Sequence, residues 1–196
     1  LISEERKMTF PPFEIMAAAL SKEGDIWAGY RKNRSDWFPE DLLEKHGPGK
    51  KHSAVYFAGC TASYVENDIG IASVRLLDEA GVDFGYVGNI ENCCGTPMLV
   101  AGKWDIFAET LKKNVEAIRE SGADTVICSC PACDMMWRTV YPEWAKKLSI
   151  DYGINAKHYS EVIAEKIREK SLALKRSLFD SEIVDAYKSY MAKEKK

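Results

Sequence analysis

The chain has 196 residues, which is enough for one globular domain with appended helices or for two small units. Hydrophobic residues make up 46% and charged residues 29%, and no uninterrupted apolar run approaches the ~18 residues that a membrane-spanning helix needs. The net charge is -3, with Lys and Arg dispersed among acidic residues, so the basic stripes expected of a nucleic-acid-binding protein are missing.

The N-terminal residues 1–50 are predicted to form a helical connector. A helix is expected over residues 12–22, and a stretch rich in Gly, Trp and charge follows at 24–38. Gly and Pro at positions 47–49 mark the break before the folded core. The first residues contain neither an initiating Met nor a signal peptide, so we expect a cytoplasmic location and a piece of a longer polypeptide.

Beyond residue 50, short apolar runs alternate with amphipathic stretches. The apolar runs predict strands at 54–57, 84–87, 125–127 and 156–159. The amphipathic stretches predict helices at 66–80, at 104–118 with a stop at Gly122, after Pro131, from Ser160, and at 180–192. This alternation predicts an α/β fold in which a Rossmann-like parallel sheet is flanked by helices. We expect a core domain at 51–170, with helical extensions at 1–50 and 171–196.

Five of the six cysteines follow predicted strands. Cys60 follows the first strand, Cys93 and Cys94 the second, and Cys130 and Cys133 the third. Ligands bind beyond the carboxyl ends of the strands in such sheets, so we expect these cysteines to converge on one site. The sixth, Cys128, ends a hydrophobic strand and is interpreted as a core residue.

The chemistry of these cysteines leaves several interpretations open. In a reducing compartment a disulfide framework is disfavoured, and thiolates are ligands for iron–sulfur clusters or zinc. A structural zinc site usually takes four ligands from two close pairs, which fits adjacent cysteines poorly. Cys130 and Cys133 at a helix start could alone be a thioredoxin-like dithiol, and ordinary buried cysteines are the remaining alternative.

The full spacing, C-x32-C-C-G-x34-C-x-x-C, resembles the cysteine-rich CCG domain over about residues 51–167. That family includes the B-type and D-type subunits of heterodisulfide reductase, related subunits of membrane sulfite-reduction complexes, and iron–sulfur subunits of lactate, glycolate and glycerol-3-phosphate oxidation. The resemblance implies a non-cubane 4Fe-4S cluster held by Cys60, Cys93, Cys94, Cys130 and Cys133. It implies an oxidoreductase subunit, active only within a complex, that delivers single electrons to a disulfide or thiol acceptor. A quinone-linked electron relay is the alternative, and a zinc-stabilised structural module is the alternative of another class.

Residues beside the cysteines are expected to support this chemistry. Gly59, Thr61, Gly95 and Pro131 are predicted to contact the cofactor, and His158 is a candidate proton donor or sulfur contact, although a structural role at a strand end is the simpler interpretation. The implied partners are redox subunits that carry iron–sulfur clusters, flavin or haem, together with a small-molecule or protein disulfide, or a quinone. Nucleic acid is not an expected partner, and membrane association is expected only through another subunit.

Overall fold

The computed structural model describes residues 10–179, with side chains to residue 171, and contains a four-stranded parallel sheet. The strands are β1 (Ala54–Phe57), β2 (Phe84–Gly85), β3 (Thr125–Cys128) and β4 (Asn155–His158). Their order across the sheet is β2-β1-β3-β4, and every neighbouring pair is parallel. The predicted 180–192 helix lies outside the described residues.

Helices occupy most of the chain between and around the strands. They are α1 (Pro11–Glu23), α2 (Glu40–His46), α3 (Gly59–Tyr64), α4 (Asn67–Glu79), α5 (Thr96–Val100), α6 (Trp104–Ser121), α7 (Pro131–Met135), α8 (Tyr141–Lys147) and α9 (Tyr159–Phe179). Short 3-10 turns lie at Arg31–Asn33 and Gly88–Ile90, and a π-helical turn at Met136–Val140 joins α7 to α8. The chain divides after Tyr159 into two compact units, and α9 begins at that boundary.

The main core forms where α6 covers one face of the sheet. Phe107, Leu111, Val115 and Ile118 recur at helical spacing on α6 and are buried, as the sequence pattern predicts. Gly122 ends this helix in the left-handed conformation, at a φ of 80°. Each of these buried side chains stabilises the fold by about 1.5–3 kcal/mol relative to its exposed state.

An aromatic cluster anchors the N-terminal connector. Trp37 lies edge-on to Tyr86 at a ring-centroid distance of 5.3 Å, and Phe38 stacks on Tyr86 at 5.1 Å. Trp37 also contacts Tyr56 of β1, whose side chain points away from the face covered by α6 because residues alternate along a strand. Residues 24–38 are therefore part of the same compact unit as the sheet.

The α/β prediction is confirmed, including the parallel sheet, the flanking helices and the helical segments at both ends. One strand is shorter than expected: β2 ends at Gly85 because the next backbone N–H, that of Tyr86, donates to the carbonyl of His46 at 2.8 Å instead of extending the sheet. Within the described residues, no helix is both long and apolar enough to cross a membrane.

Candidate functional site

Strand order brings the cysteine-bearing loops together. The connection after β1 leads to β2 on one side of the sheet, and the connection after β3 leads to β4 on the other, so the direction reverses between the adjacent strands β1 and β3. Such a reversal opens a crevice at the carboxyl edge. Cys60 lies in the first turn of α3, Cys93 and Cys94 in the loop before α5, and Cys130 and Cys133 at the start of α7. The three cysteine-bearing loops therefore lie together at the carboxyl edge of the sheet, as the sequence predicts.

One cavity of about 370 Å³ collects the five cysteines. All five line it: Cys60, Cys93, Cys94, Cys130 and Cys133. Other lining residues, Thr61, Ile69, Pro131 and Ala132, are exposed, so the cavity opens at the surface of the domain. Cys130 is half-buried, whereas the other four cysteines are buried.

The sulfur atoms lie close to one another and to polar groups. The Sγ atoms of Cys60 and Cys93 are 3.4 Å apart. The Sγ atom of Cys94 lies 3.2 Å from the hydroxyl oxygen of Thr96. Gly59 adopts a φ of 74°, and a Cβ atom at that position would lie 3.1 Å from the Sγ atom of Cys133. The glycine therefore leaves room for the thiol.

The thiols differ in acidity because each has different neighbours. Hydrogen bonding with Cys133 and the backbone N–H groups at the start of α7 lowers the pKa of Cys130 to about 6. Hydrogen bonding with Cys133 likewise lowers the pKa of Cys94. Hydrogen bonding with Cys60 raises the pKa of Cys93, and hydrogen bonding with Cys130 raises that of Cys133. The cavity thus favours thiolates at two positions, and thiolates are the form that binds metals.

Within residues 10–179, no group of three or more His, Cys, Asp or Glu side chains is arranged to hold a single metal ion. The five cysteine side chains line one cavity, and two of them are adjacent in sequence.

Two buried polar side chains clamp the Cys93–Cys94 peptide. The Nδ2 group of Asn114 on α6 donates to the carbonyl of Cys93 at 3.0 Å and to the hydroxyl of Tyr141 at 3.0 Å. That hydroxyl in turn donates to the carbonyl of Cys94 at 3.0 Å. Neither residue is predicted from the sequence, although Asn114 is a polar residue between Leu111 and Ile118 on the apolar face of α6, and this departure from the pattern is a usable signal.

The other predicted site residues fall into two groups. Gly59, Thr61 and Pro131 line the cavity. Gly95 is not among the lining residues: a Cβ atom at Gly95 would lie 2.9 Å from the ring of Phe107, and its φ is 78°. Gly95 therefore serves the close approach of the cysteine loop to α6.

Two further residues singled out in the sequence, Cys128 and His158, are the last residues of β3 and β4, and neither lines the cavity. The Nε2 atom of His158, at the end of β4, lies 3.2 Å from the carbonyl oxygen of Ser129. Its role in the chemistry stays a prediction. Cys128 is fully buried in the hydrophobic core, as interpreted from the sequence.

With this geometry established, residues 54–138 match the family model of the CCG cysteine-rich domain. This segment contains all five cysteines, so the chain carries a cysteine-rich domain of the CCG family. The resemblance inferred from the cysteine spacing is confirmed.

The similar proteins are subunits or relatives of redox enzymes. The chain is 30% identical to the D-type subunit of dihydromethanophenazine:CoB–CoM heterodisulfide reductase of Methanosarcina mazei over 151 residues, which cover 76% of the chain and 35% of that protein. It is 29% identical to EtfAB:quinone oxidoreductase of Syntrophomonas wolfei over 170 residues, covering 79% of the chain and 22% of that protein. It is 24% identical to "Probable iron-sulfur-binding oxidoreductase FadF" of Bacillus subtilis over 192 residues, covering 92% of the chain and 26% of that protein.

The matched region is a minor part of each relative, since the chain spans about a third of their length or less. No solved structure matches the chain. These three relatives are oxidoreductases or subunits of them, which supports an oxidoreductase role for the chain.

Proposed function

We propose that the chain is an electron-transfer module of an oxidoreductase complex, and that its five-cysteine cavity holds an iron–sulfur cluster. The observation that carries this proposal is the convergence of Cys60, Cys93, Cys94, Cys130 and Cys133, from three separate loops, on one cavity. The name of the Bacillus subtilis relative, which includes iron–sulfur binding, supports the same cofactor.

The donor set fits a cluster in number and in chemistry. Thiolates are the usual ligands of iron–sulfur clusters, and a standard 4Fe-4S cubane takes four. Five lining cysteines, two of them adjacent, support the non-cubane 4Fe-4S cluster that the family resemblance implies. When bound, such a cluster would supply one-electron oxidation and reduction.

The surrounding residues of the chain would hold and tune this centre. The Thr96 hydroxyl, 3.2 Å from the Sγ atom of Cys94, can donate a hydrogen bond to that thiolate and stabilise its negative charge. Ile26, Ala62 and Pro97 add apolar surface to the lining and limit contact with water. Low polarity around a cluster and hydrogen bonds to its ligands are two of the main determinants of its potential.

The first candidate acceptor is a disulfide, which two electrons and two protons convert to two thiols. The heterodisulfide reductase name of the Methanosarcina relative supports this acceptor. The cavity opens to solvent beside exposed residues such as Thr61 and Ala132, and a small disulfide would reach the cysteines through this opening.

The second candidate acceptor is a quinone, and one feature of the cavity favours it. Among the described residues that line the cavity there is no Lys, Arg or His. A disulfide with anionic groups would need cationic side chains as partners, whereas an uncharged ring would pack against Ile26, Ile69 and Pro131. The quinone oxidoreductase among the relatives is consistent with this alternative.

The proposed partners are other redox subunits that carry iron–sulfur clusters, flavin or haem. The chain spans about a third or less of its relatives, so we expect turnover only when the remaining parts of the complex are present. A cytoplasmic position, with membrane contact made only through another subunit, completes this proposal.

The first test is the iron, sulfide and zinc content of anaerobically purified protein, together with its electron paramagnetic resonance spectrum. We expect about four irons and four sulfides per chain and a paramagnetic signal in one redox state. A content of one zinc per chain with no sulfide would contradict the redox proposal and indicate a structural zinc module.

A second test separates the two acceptors with a matched pair of variants. Ile69 and Leu76 are both on α4 and are 49% and 43% exposed, but Ile69 lines the cavity and Leu76 does not. Stopped-flow oxidation of the reduced protein by a naphthoquinone should slow in Ile69→Lys and stay unchanged in Leu76→Lys if the quinone enters the cavity. Faster reaction of Ile69→Lys with an anionic disulfide, without any effect on the quinone, would favour the disulfide.

A further inference from the structure

A fully buried ion pair lies beside the five-cysteine cavity. The Nη2 atom of Arg34 is 2.9 Å from Oε1 of Glu91, and the two side chains are 0% and 1% exposed. Arg34 belongs to the connector, and Glu91 lies two residues before Cys93. Removing two charges from water costs free energy that their attraction alone need not repay. The remaining contacts of the pair therefore indicate its role.

The Glu91 carboxylate binds the turn that carries Cys60. Its Oε2 atom accepts the backbone N–H of Ala58 at 3.0 Å, and its Oε1 atom accepts that of Gly59 at 2.9 Å. These are the two residues immediately before Cys60. Burial raises the pKa of Glu91, while the Arg34 guanidinium and the two N–H groups favour its ionised form.

The Arg34 guanidinium binds the segment that holds the other cysteine loop. Its Nη1 atom donates to the carbonyl of Gly24 at 3.3 Å, and the same carbonyl accepts the backbone N–H of Cys93 at 2.7 Å. A guanidinium presents its donors in a fixed plane, so its contacts to Glu91 and Gly24 set one geometry. The connector, the loop after β1 and the loop after β2 therefore meet at the Arg34–Glu91 ion pair.

We propose that the Arg34–Glu91 pair is a positioning device that holds Cys60 and Cys93 at their observed separation. The connector residues around Gly24 and Arg34 are then part of the cysteine site. The consequence for cofactor binding rests on the proposed function, whereas the positioning itself is a property of the two cysteines and can be measured without a cofactor.

The test uses disulfide formation in the metal-free full chain. Diamide takes two electrons and two protons from two thiols, giving one disulfide and the reduced hydrazine, and a disulfide forms only where the two Cβ atoms approach within about 4.5 Å. The rate of formation of the Cys60–Cys93 linked peptide, followed by mass spectrometry, reports how often these side chains are in place. Their 3.4 Å sulfur separation predicts fast linkage in the wild type.

Three variants and one control probe the pair. Arg34→Lys keeps the positive charge but loses the planar fork, Glu91→Gln keeps the shape but loses the charge, and Arg34→Met removes the cation. The control is Arg75→Met, because Arg75 makes a two-pronged ion pair with Asp41 at 2.9 Å on the surface. Circular dichroism and urea unfolding identify the variants that fold.

We expect the Cys60–Cys93 linkage to slow about tenfold in folded Arg34→Lys and Glu91→Gln, the scale on which supporting residues affect metal sites, and to stay at the wild-type rate in Arg75→Met. Iron retention should fall in Arg34→Lys and Glu91→Gln and stay at the wild-type level in Arg75→Met. Arg34→Lys keeps a cation beside the buried Glu91 carboxylate. If Arg34→Met does not fold, the linkage rate is therefore compared in Arg34→Lys instead. Wild-type linkage rates in Arg34→Lys and Glu91→Gln would overturn the positioning role. Slowed linkage in a protein that binds no iron would overturn the proposed function and leave the positioning role intact.

Discussion

The Sγ atoms of Cys60 and Cys93 lie 3.4 Å apart although 33 positions separate the two residues in the chain. Cys60 follows β1 and Cys93 follows β2, and these strands are parallel neighbours. Parallel pairing brings their carboxyl ends to the same edge of the sheet. The contact therefore depends on the whole sheet, and removing either sulfur changes the shared cavity.

Cys60→Ser is expected to abolish most iron and sulfide binding while leaving the domain folded. A hydroxyl is a poor ligand for iron–sulfur chemistry compared with a thiolate. The measurement is iron and sulfide per chain after anaerobic purification, with circular dichroism as the check on folding.

Cys128→Ala is the matched control, because Cys128 belongs to the same buried cluster but does not line the cavity. It should retain the wild-type iron content and lose about 1 kcal/mol of unfolding free energy through the deleted sulfur atom. Equal iron loss in both variants would contradict the assignment of the five ligands.

Tyr141→Phe is expected to destabilise the domain by about 1–3 kcal/mol, because it leaves the Cys94 carbonyl and one Asn114 N–H without their partner in a buried site. Urea unfolding of the metal-free protein measures this change. Tyr30→Phe is the control, since Tyr30 is 63% exposed. An unchanged unfolding midpoint in Tyr141→Phe would show that the hydrogen bonds of this hydroxyl do not stabilise the site.

Asp83→Asn is expected to destabilise the domain at pH 7 but not at acidic pH. The hydrogen bond with His52, followed by those from Ser53, lowers the pKa of Asp83 from 3.8 to about 2. Because the folded-state pKa lies below the unfolded value, the ionised carboxylate stabilises the fold above pH 3.8, and this contribution disappears as the pH falls through 2.

The size of this effect is limited because the Asp83 side chain is 60% exposed. We expect less than about 1 kcal/mol between wild type and Asp83→Asn at pH 7. Urea titrations between pH 7 and pH 2 give the difference in unfolding free energy. A difference that grows with acidification would have the wrong sign for this interpretation.

Periodicity made part of the fold predictable from the sequence. The apolar run of β1 and the three-and-four spacing of α6 are local patterns, and both elements form where these patterns lie. The cysteine convergence was also predictable, because strand-to-helix loops of a parallel sheet share one edge. Each of these inferences needs only short stretches of sequence and a topological rule.

The supporting contacts of the site were not predictable in this way. Arg34 and Glu91 are 57 positions apart, and Asn114 and Tyr141 are 27 apart, so no local pattern links either pair. Gly95 was expected to contact the cofactor, but its lack of a side chain serves the approach of Phe107, a residue on another helix. Pairings of this kind depend on tertiary packing, which a single sequence does not encode in its spacing.

Gly59→Ala and Gly122→Ala together separate backbone strain from crowding of the site. Both glycines have left-handed backbones, with φ of 74° and 80°, so an alanine at either position should cost about 1–2 kcal/mol of unfolding free energy. At Gly122 the added Cβ atom meets no atom within 4 Å, whereas at Gly59 it lies 3.1 Å from the Sγ atom of Cys133.

We therefore expect similar shifts of the urea midpoint in the two metal-free variants but a loss of iron in Gly59→Ala alone. The crowded thiol must move to relieve the contact, and a displaced ligand binds the cofactor less well. Iron content and the electron paramagnetic resonance spectrum of the two variants, prepared side by side, give the answer. If Gly122→Ala loses as much iron as Gly59→Ala, strain in the fold accounts for both losses, and the space beside Cys133 has no special part in the site.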